Sequence, residues 1–141
     1  MQDLIPANVE HIVHNLLRQE FERQNCRILG INGTANHVHC LFIMDTTSQI
    51  SVIIKNVKGS VSHTINKHDI IPGKFAWQSG FYAFSLGYKD IDTTLGYLQD
   101  QKVYHKRCSG MDEINTLLAM HGINPDPING RLSLNHFRNR N

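Results

Sequence analysis

The chain has few cysteines, and their spacing excludes two kinds of stabilising site. It has three in 141 residues, at Cys26, Cys40 and Cys108. The number is odd and the spacing is not that of metal ligands, so neither a disulfide framework nor a zinc ribbon is indicated. Free thiols of this kind are typical of a reducing compartment, and we expect the protein in the cytoplasm.

Long apolar runs are also absent. No stretch approaches the roughly 18 apolar residues that a membrane-spanning helix needs. The first residues, Met1-Gln2-Asp3-Leu4, lack the basic and then apolar pattern of a signal peptide. We therefore expect a soluble intracellular protein that has no membrane partner.

The chain has a small excess of positive charge, with a net value of +2, but its lysines and arginines are unevenly placed. Most of them lie from residue 55 onward, among them Lys55, Lys58, Lys67, Lys102, Lys106, Arg107, Arg131, Arg138 and Arg140. This distribution indicates a side that faces a polyanion. From the charge alone, a solvated surface with a basic tail is the favoured explanation.

The apolar spacing predicts four helices and three strands. Helical periodicity covers residues 8–22, 50–65, about 92–107 and 112–121, with a capping cluster at 45–48. Strand-like runs cover 26–31, 37–44 and 75–86, and turn residues at 32–36 join the first two into a hairpin. Because residues 37–44 are apolar on both faces, we expect that strand inside its sheet.

This order predicts an α+β fold in which helices cover one face of an antiparallel sheet. A ferredoxin-like arrangement needs one more strand before the first helix, where the sequence offers only residues 1–7. We expect a single catalytic domain over residues 1–123 and a polar, basic tail over 124–141.

Two short segments combine residues that could form a catalytic site. His37 and His39 share one side of a strand, because side chains alternate with a period of two. Tyr97 and Gln101 share one side of a helix. Together they could place two imidazoles and a carboxamide around one metal ion, with a phenol beside it. Histidines on strands more often satisfy local hydrogen bonds, and Tyr97, Gln101 and His105 fit ordinary helix positions equally well.

The donor types restrict the metal. A tyrosine and a glutamine oxygen argue against a closed structural zinc site and favour Mg²⁺ or Mn²⁺ in an open site. A neutral phenol with a pKa of about 10 is a weak nucleophile. It becomes effective when a cation polarises the phosphate that it attacks.

Nucleic-acid contacts have several candidates. The aromatic run over residues 75–84 could stack bases, although aromatics at strand spacing are more often core, and we expect Trp77 and most of the phenylalanines to be buried. Lys55 and Lys58 on the second helix are better candidates for phosphate contacts.

Read together, these segments resemble the single-tyrosine HUH transposases of bacterial insertion sequences and their REP-associated relatives. The resemblance covers residues 8–123. The matching text is Cys26-Arg27-Ile28-Leu29-Gly30-Ile31, Asn36-His37-Val38-His39, Val57-Lys58-Gly59-Ser60, Phe75-Ala76-Trp77-Gln78, Ala83-Phe84-Ser85, Tyr97 with Gln101 and His105, and His121-Gly122-Ile123.

The resemblance implies a ferredoxin-like domain that acts as a homodimer on single-stranded DNA with hairpin ends. It implies that His37, His39 and Gln101 are metal ligands and that Tyr97 is the nucleophile, forming a 5′-phosphotyrosine link. The tyrosine helix would serve the partner's His-x-His pair across a two-fold interface. Lys55, Lys58, Lys102 and His105 are the expected DNA contacts.

The chain departs from the family pattern in three places. Asn36 stands where an acidic residue is usual, and Tyr104 precedes His105 where a second histidine is common. The first strand is missing, so we expect an internal start, a decayed copy or a strand supplied by another chain. The alternative functions are a non-catalytic nucleic-acid-binding module derived from such an enzyme and a dimeric domain with structural histidines.

Overall fold

The computed structural model describes residues 4–100. The chain divides into two compact units, Met1–Gln78 and Ser79–Asn141, which are described separately. The first contains helix α1 (Glu10–Arg23), strands β1 (Arg27–Gly33) and β2 (Val38–Ile43), and helix α2 (Ile50–Lys67); the second contains helix α3 (Ile91–Gln99). Short 3₁₀ turns at Ala7–Val9 and Tyr88–Asp90 precede α1 and α3. These elements confirm the α+β class, while the single domain over 1–123 stays a prediction.

Helix α1 ends in a motif that turns the chain directly into the sheet. Asn25 adopts a left-handed conformation with φ of 59°. The backbone N–H of Cys26 donates to Phe21 O and that of Asn25 donates to Glu22 O. This paired arrangement is a Schellman motif with asparagine in the place that glycine usually takes. It lets β1 begin two residues later.

Strands β1 and β2 form an antiparallel hairpin, as predicted. Ile28 pairs with Phe42, and Ile31 pairs with Cys40. Residues 28 and 31 would point to opposite faces of a regular strand, but a bulge between Ile28 and Gly30 adds one residue and restores the alternation. Both isoleucines therefore pack against the helical core.

The core of the first unit lies between α1 and α2. Each helix buries residues four apart, which is the stripe that the sequence predicts. The buried apolar side chains on the two helices are Val13, Leu17, Phe21, Ile53, Val57, Val61 and Ile65. The ring of Phe21 also contacts that of Phe42, with centroids 4.7 Å apart, so α1 ties the sheet to this core.

Two expectations about strands are wrong for the described residues. Residues 74–86 contain no strand, and Asn66 on α2 instead hydrogen-bonds both backbone groups of Phe75, with distances of 2.9 and 2.8 Å. Strand β2 pairs with β1 alone in a two-stranded sheet rather than lying inside a larger one. Apolar residues on both faces of a strand indicate that other elements pack above and below it. They do not show whether another strand pairs with each of its edges.

The start of α2 differs from the prediction in detail. No side chain caps this helix at Gln49. Asp45 Oδ1 instead accepts hydrogen bonds from the backbone N–H and the hydroxyl of Thr47, so the cluster at 45–48 forms a turn of its own. These two hydrogen bonds lower the pKa of Asp45, because they favour its charged form.

Other predictions fall outside the described part of the chain. These are the continuation of the third helix beyond residue 100, the fourth helix at 112–121 and the tail at 124–141. Within residues 4–100, no helix combines the length and apolarity needed to cross a membrane.

Candidate functional site

The two faces of β2 have different surroundings, as the alternation predicts. Val38, Cys40 and Phe42 pack against the helical core, and Met44 continues that side just after the strand. His37 and His39 lie on the opposite side. Their ring centroids are 5.1 Å apart, with an interplanar angle of 70°. The histidine pair thus lies on the side of β2 opposite the helical core.

The separation of the two rings suits a shared metal ion. Metal–imidazole nitrogen bonds are about 2.1 Å long, so rings that bind one ion have centroids about 5 Å apart. The observed 5.1 Å agrees with that spacing. His39 pairs with Asn32 across the hairpin, and its Nε2 atom is shielded from solvent. The arrangement fits two of the three predicted ligands.

The turn between the strands adds polar partners for His37. Asn36 Oδ1 lies 2.6 Å from His37 Nδ1, and Thr34 Oγ1 lies 3.1 Å from the same nitrogen. Thr34 is buried, with 4 % of its surface exposed. The sequence assigned Thr34 only a turn role and marked Asn36 only through the resemblance, without a contact to His37. The available signal was a hydroxyl and an amide within three residues of the first histidine.

Gly33 allows the turn to close. A Cβ at this position would collide with the backbone carbonyl oxygen of His37 and lie 3.0 Å from Val38 Cα. The same carbonyl accepts a hydrogen bond from the backbone N–H of Thr34 at 3.0 Å. The backbone that carries His37 is therefore packed against a position where only glycine fits without displacement.

Tyr97 lies on α3 in the second unit, and it is more buried than predicted. Its exposed fraction is 4 %, and its hydroxyl oxygen is shielded from solvent. The buried side of α3 consists of Thr94, Tyr97 and Leu98. Of the expected stripe of Ile91, Leu95 and Leu98, only Leu98 is fully buried. Tyr97 therefore lies on the buried side of α3 together with Thr94 and Leu98, which are within one helical turn of it.

Three of the predicted site residues, Gln101, Lys102 and His105, fall outside the described residues. Within residues 4–100, no three His, Cys, Asp or Glu side chains come together as a metal-binding cluster. The structure therefore brings together His37 and His39 from the predicted ligand set and describes Tyr97 in its own unit.

The two predicted phosphate contacts on α2 differ in environment. Lys55 is exposed. Lys58 donates from Nζ to the backbone carbonyl of Gln78 at 2.6 Å, and partial burial lowers its pKa. Lys58 thus anchors the segment that follows Phe75, whereas Lys55 projects its ammonium into solvent.

The aromatic run is only partly core. Phe75 is 3 % exposed, and its ring meets that of Trp77 edge-on at 5.0 Å. Trp77 packs against the core but is only half-buried, so the expectation of burial is met in part. Phe81 and Tyr82 are 46 % and 51 % exposed, so the expectation of burial is wrong for Phe81. Because this segment forms no strand, its side chains do not alternate between a core side and a solvent side, and Phe81 is left exposed.

Comparison with known proteins identifies the family. A family model described as "Transposase IS200 like" matches residues 2–101. A crystal structure at 1.90 Å of a candidate transposase from Deinococcus radiodurans R1 shares the fold, with a TM-score of 0.54 and 15 % identity. The match covers 70 % of this chain and 80 % of that one. No functionally curated protein matches the chain. Since the family model matches well over half of its residues, the chain belongs to the IS200-like transposase family.

Proposed function

We propose that this transposase cleaves and rejoins single-stranded DNA at hairpin-bearing ends through a covalent 5′-phosphotyrosine intermediate on Tyr97. The observation that carries the proposal is the pair of imidazoles on the side of β2 opposite the helical core, with ring centroids 5.1 Å apart. Two histidines at this spacing suit a common divalent ion. Membership of the family supplies the class of reaction.

His37, His39 and Gln101 are the proposed ligands, and Mg²⁺ or Mn²⁺ is the proposed ion. When bound, the ion polarises the phosphate and stabilises the charge that develops on it. The ring of His37 is held by its contacts with Asn36 and Thr34, and the backbone of His39 is held by its pairing with Asn32. The chain therefore orients the imidazole of His37 before any ligand arrives.

Tyr97 is the proposed nucleophile. Its phenolic oxygen forms a bond to the phosphorus as the bond from phosphorus to the 3′ oxygen breaks. The phenolic proton passes to solvent, and the departing 3′ oxygen takes up a proton from solvent. The products are a phosphotyrosine link and a free 3′ hydroxyl, which reverses the step during rejoining. Because the Tyr97 hydroxyl is shielded from solvent, this side of α3 must be uncovered before it meets DNA.

The proposed partners are hairpin-bearing single-stranded DNA and a second copy of the chain. Lys55, exposed on α2, is available for a phosphate contact, and Lys58, Lys102 and His105 are the other proposed contacts. In the proposed dimer, the tyrosine helix of each copy serves the histidine pair of the other.

Trapping of the covalent adduct tests the nucleophile. Incubation of the full chain with a labelled hairpin oligonucleotide and Mn²⁺ is expected to give an adduct that survives denaturing electrophoresis. Tyr97→Phe should abolish the adduct while DNA binding continues, because only the attacking oxygen is removed. The control is Tyr88→Phe, since Tyr88 is 93 % exposed in the same unit. An adduct that persists in Tyr97→Phe would assign the nucleophile elsewhere.

A histidine variant tests the ligand role. His39→Ala should abolish divalent-ion-dependent cleavage, whereas His63→Ala, an exposed position on α2, should leave that cleavage intact. Metal-dependent cleavage that is unchanged in His39→Ala would contradict the assignment. If the wild-type chain binds hairpins but forms no adduct at any Mg²⁺ or Mn²⁺ concentration, it is a non-catalytic binding module instead.

A further inference from the structure

The polar turn before β2 links three side chains through one nitrogen. Thr34 Oγ1 lies 3.2 Å from Asn36 Oδ1 and 3.1 Å from His37 Nδ1, and Asn36 Oδ1 lies 2.6 Å from that nitrogen. All three contacts lie between residues only one to three apart in the chain. They depend on the turn alone, so they form wherever this hairpin forms.

The hydrogen-bond donors and acceptors in these contacts are compatible with only one neutral tautomer of His37. An amide oxygen only accepts hydrogen bonds, and the Thr34 hydroxyl has a single proton. If Thr34 donates to Asn36 Oδ1, then both oxygens can face His37 only when its Nδ1 carries a proton. A deprotonated Nδ1 would place its lone pair 2.6 Å from the amide oxygen, where the two would repel.

We infer that Thr34 and Asn36 are positioning residues that hold His37 in its Nδ1–H tautomer. The neutral ring then carries its lone pair on Nε2, which is the atom presented to a metal. The use of that lone pair rests on the proposed function, but the tautomer itself does not. The same oxygens also restrict rotation of the ring, as outer partners of ligating histidines do.

Gly33 completes this arrangement. Its missing Cβ leaves room for the carbonyl of His37, which the Thr34 N–H holds. The turn thus holds both the backbone and the ring of His37. The amide oxygen of Asn36 accepts the Nδ1–H as a carboxylate oxygen would.

The tautomer can be measured on the metal-free protein by ¹⁵N–¹H correlation of the imidazoles. Spectra are recorded at about pH 8.5, well above the reference imidazole pKa of about 6.5. His37 is expected as Nδ1–H in the wild-type chain. Asn36→Ala should shift it toward Nε2–H, while Asn36→Asp should retain Nδ1–H because a carboxylate only accepts. Thr34→Ser retains the hydroxyl and should also preserve it.

A matched control separates this role from general destabilisation. Asn56→Ala removes an asparagine whose amide donates to the side chain of Gln24, just after α1 and far along the chain from the turn. It should leave the His37 signals in place. An Nε2–H tautomer for His37 in the wild-type chain would overturn the inference. So would an Nδ1–H signal that is unchanged in Asn36→Ala.

Titration with Mn²⁺ alone tests whether the tautomer serves metal binding. Paramagnetic broadening of the His37 and His39 signals is expected, and Asn36→Ala should weaken Mn²⁺ binding by about 10- to 100-fold, as removal of such outer partners does. Asn36→Asp should restore it. An Nδ1–H tautomer without broadening would contradict the metal site in the proposed function and would still support the positioning of His37.

Discussion

At the scale of the residue, two glycines of the first unit have opposite surroundings. Gly33 faces the carbonyl of His37, with no room for a Cβ, whereas Gly59 in the middle of α2 has nothing within 4 Å. Neither requires a positive φ, so the difference is purely one of space. Substitution by alanine therefore separates a glycine that the site needs from one that the helix only tolerates.

We expect Gly33→Ala to lower the free energy of unfolding by about 1–3 kcal/mol, because the new Cβ must displace backbone. Gly59→Ala should raise it by about 0.5–1 kcal/mol, since alanine loses less backbone entropy in a helix. Urea unfolding of both variants measures these two changes in the free energy of unfolding. A neutral Gly33→Ala would show that the turn can relax around His37.

Cys40 has a thiol whose pKa is raised from its ordinary value of 9.0 to about 12. Burial is the main cause, and the nearby charge of Arg18 opposes it to a smaller degree. The folded state thus keeps the proton at a pH where the unfolded chain loses it. The thiol adds stability that is fully present below about pH 9 and is lost as the pH rises toward 12.

Two measurements check this thiol. Maleimide should label Cys40 of the folded chain far more slowly at pH 8 than in urea, as peptide mapping by mass spectrometry would show. The unfolding free energy of the wild-type chain should fall more between pH 8 and pH 10 than that of Cys40→Ala. Equal slopes in the two proteins would show that Cys40 titrates normally.

At the scale of the element, Asn66 explains why residues 74–86 need no sheet partner at their start. Its amide donates to Phe75 O and accepts from Phe75 N, which are the two groups that a neighbouring strand would otherwise satisfy. Lys58 bonds the carbonyl of Gln78 from the same helix. The segment 75–78 is therefore held on α2 by side chains rather than by a ladder.

Asn66→Ala should lower the free energy of unfolding by about 1–3 kcal/mol, because it leaves two partly buried backbone groups of Phe75 without partners. Trp77 is the single tryptophan and lies two residues away, so its fluorescence should shift to the red as the segment loosens. Lys67→Ala, exposed beside Asn66, is the control. An unchanged emission maximum in Asn66→Ala would show that Lys58 alone holds the segment.

At the scale of the whole molecule, the proposed histidine pair and the proposed nucleophile belong to different compact units. His37 and His39 lie in Met1–Gln78, and Tyr97 lies in Ser79–Asn141. A site assembled from two units can be completed within one chain or between two copies. The shared-site dimer proposed above is the second arrangement.

Mixing two inactive variants distinguishes these arrangements. Tyr97→Phe retains the histidines, and His39→Ala retains the tyrosine. If the sites are shared, half of the randomly mixed dimers contain one intact site, so adduct formation should recover to about a quarter of the wild-type level. No recovery, under conditions where subunit exchange is demonstrated, would place both groups of each site in one chain.

The sequence by itself determined the features that depend on local periodicity. It predicted both long helices, the hairpin and the division of β2 into a core side and a histidine side, because each follows from which neighbours share a face. It also identified His37 and His39 as a pair, and the family match supports the transposase assignment.

The tertiary structure decided what depends on partners from elsewhere in the chain. Residues 74–86 form no strand, since Asn66 hydrogen-bonds the backbone groups of Phe75. No local sequence pattern predicts that contact. Tyr97 is buried because of how α3 packs, which helical spacing alone did not reveal. Only the folded turn shows that Thr34 and Asn36 meet His37, because that contact depends on how the backbone closes over Gly33.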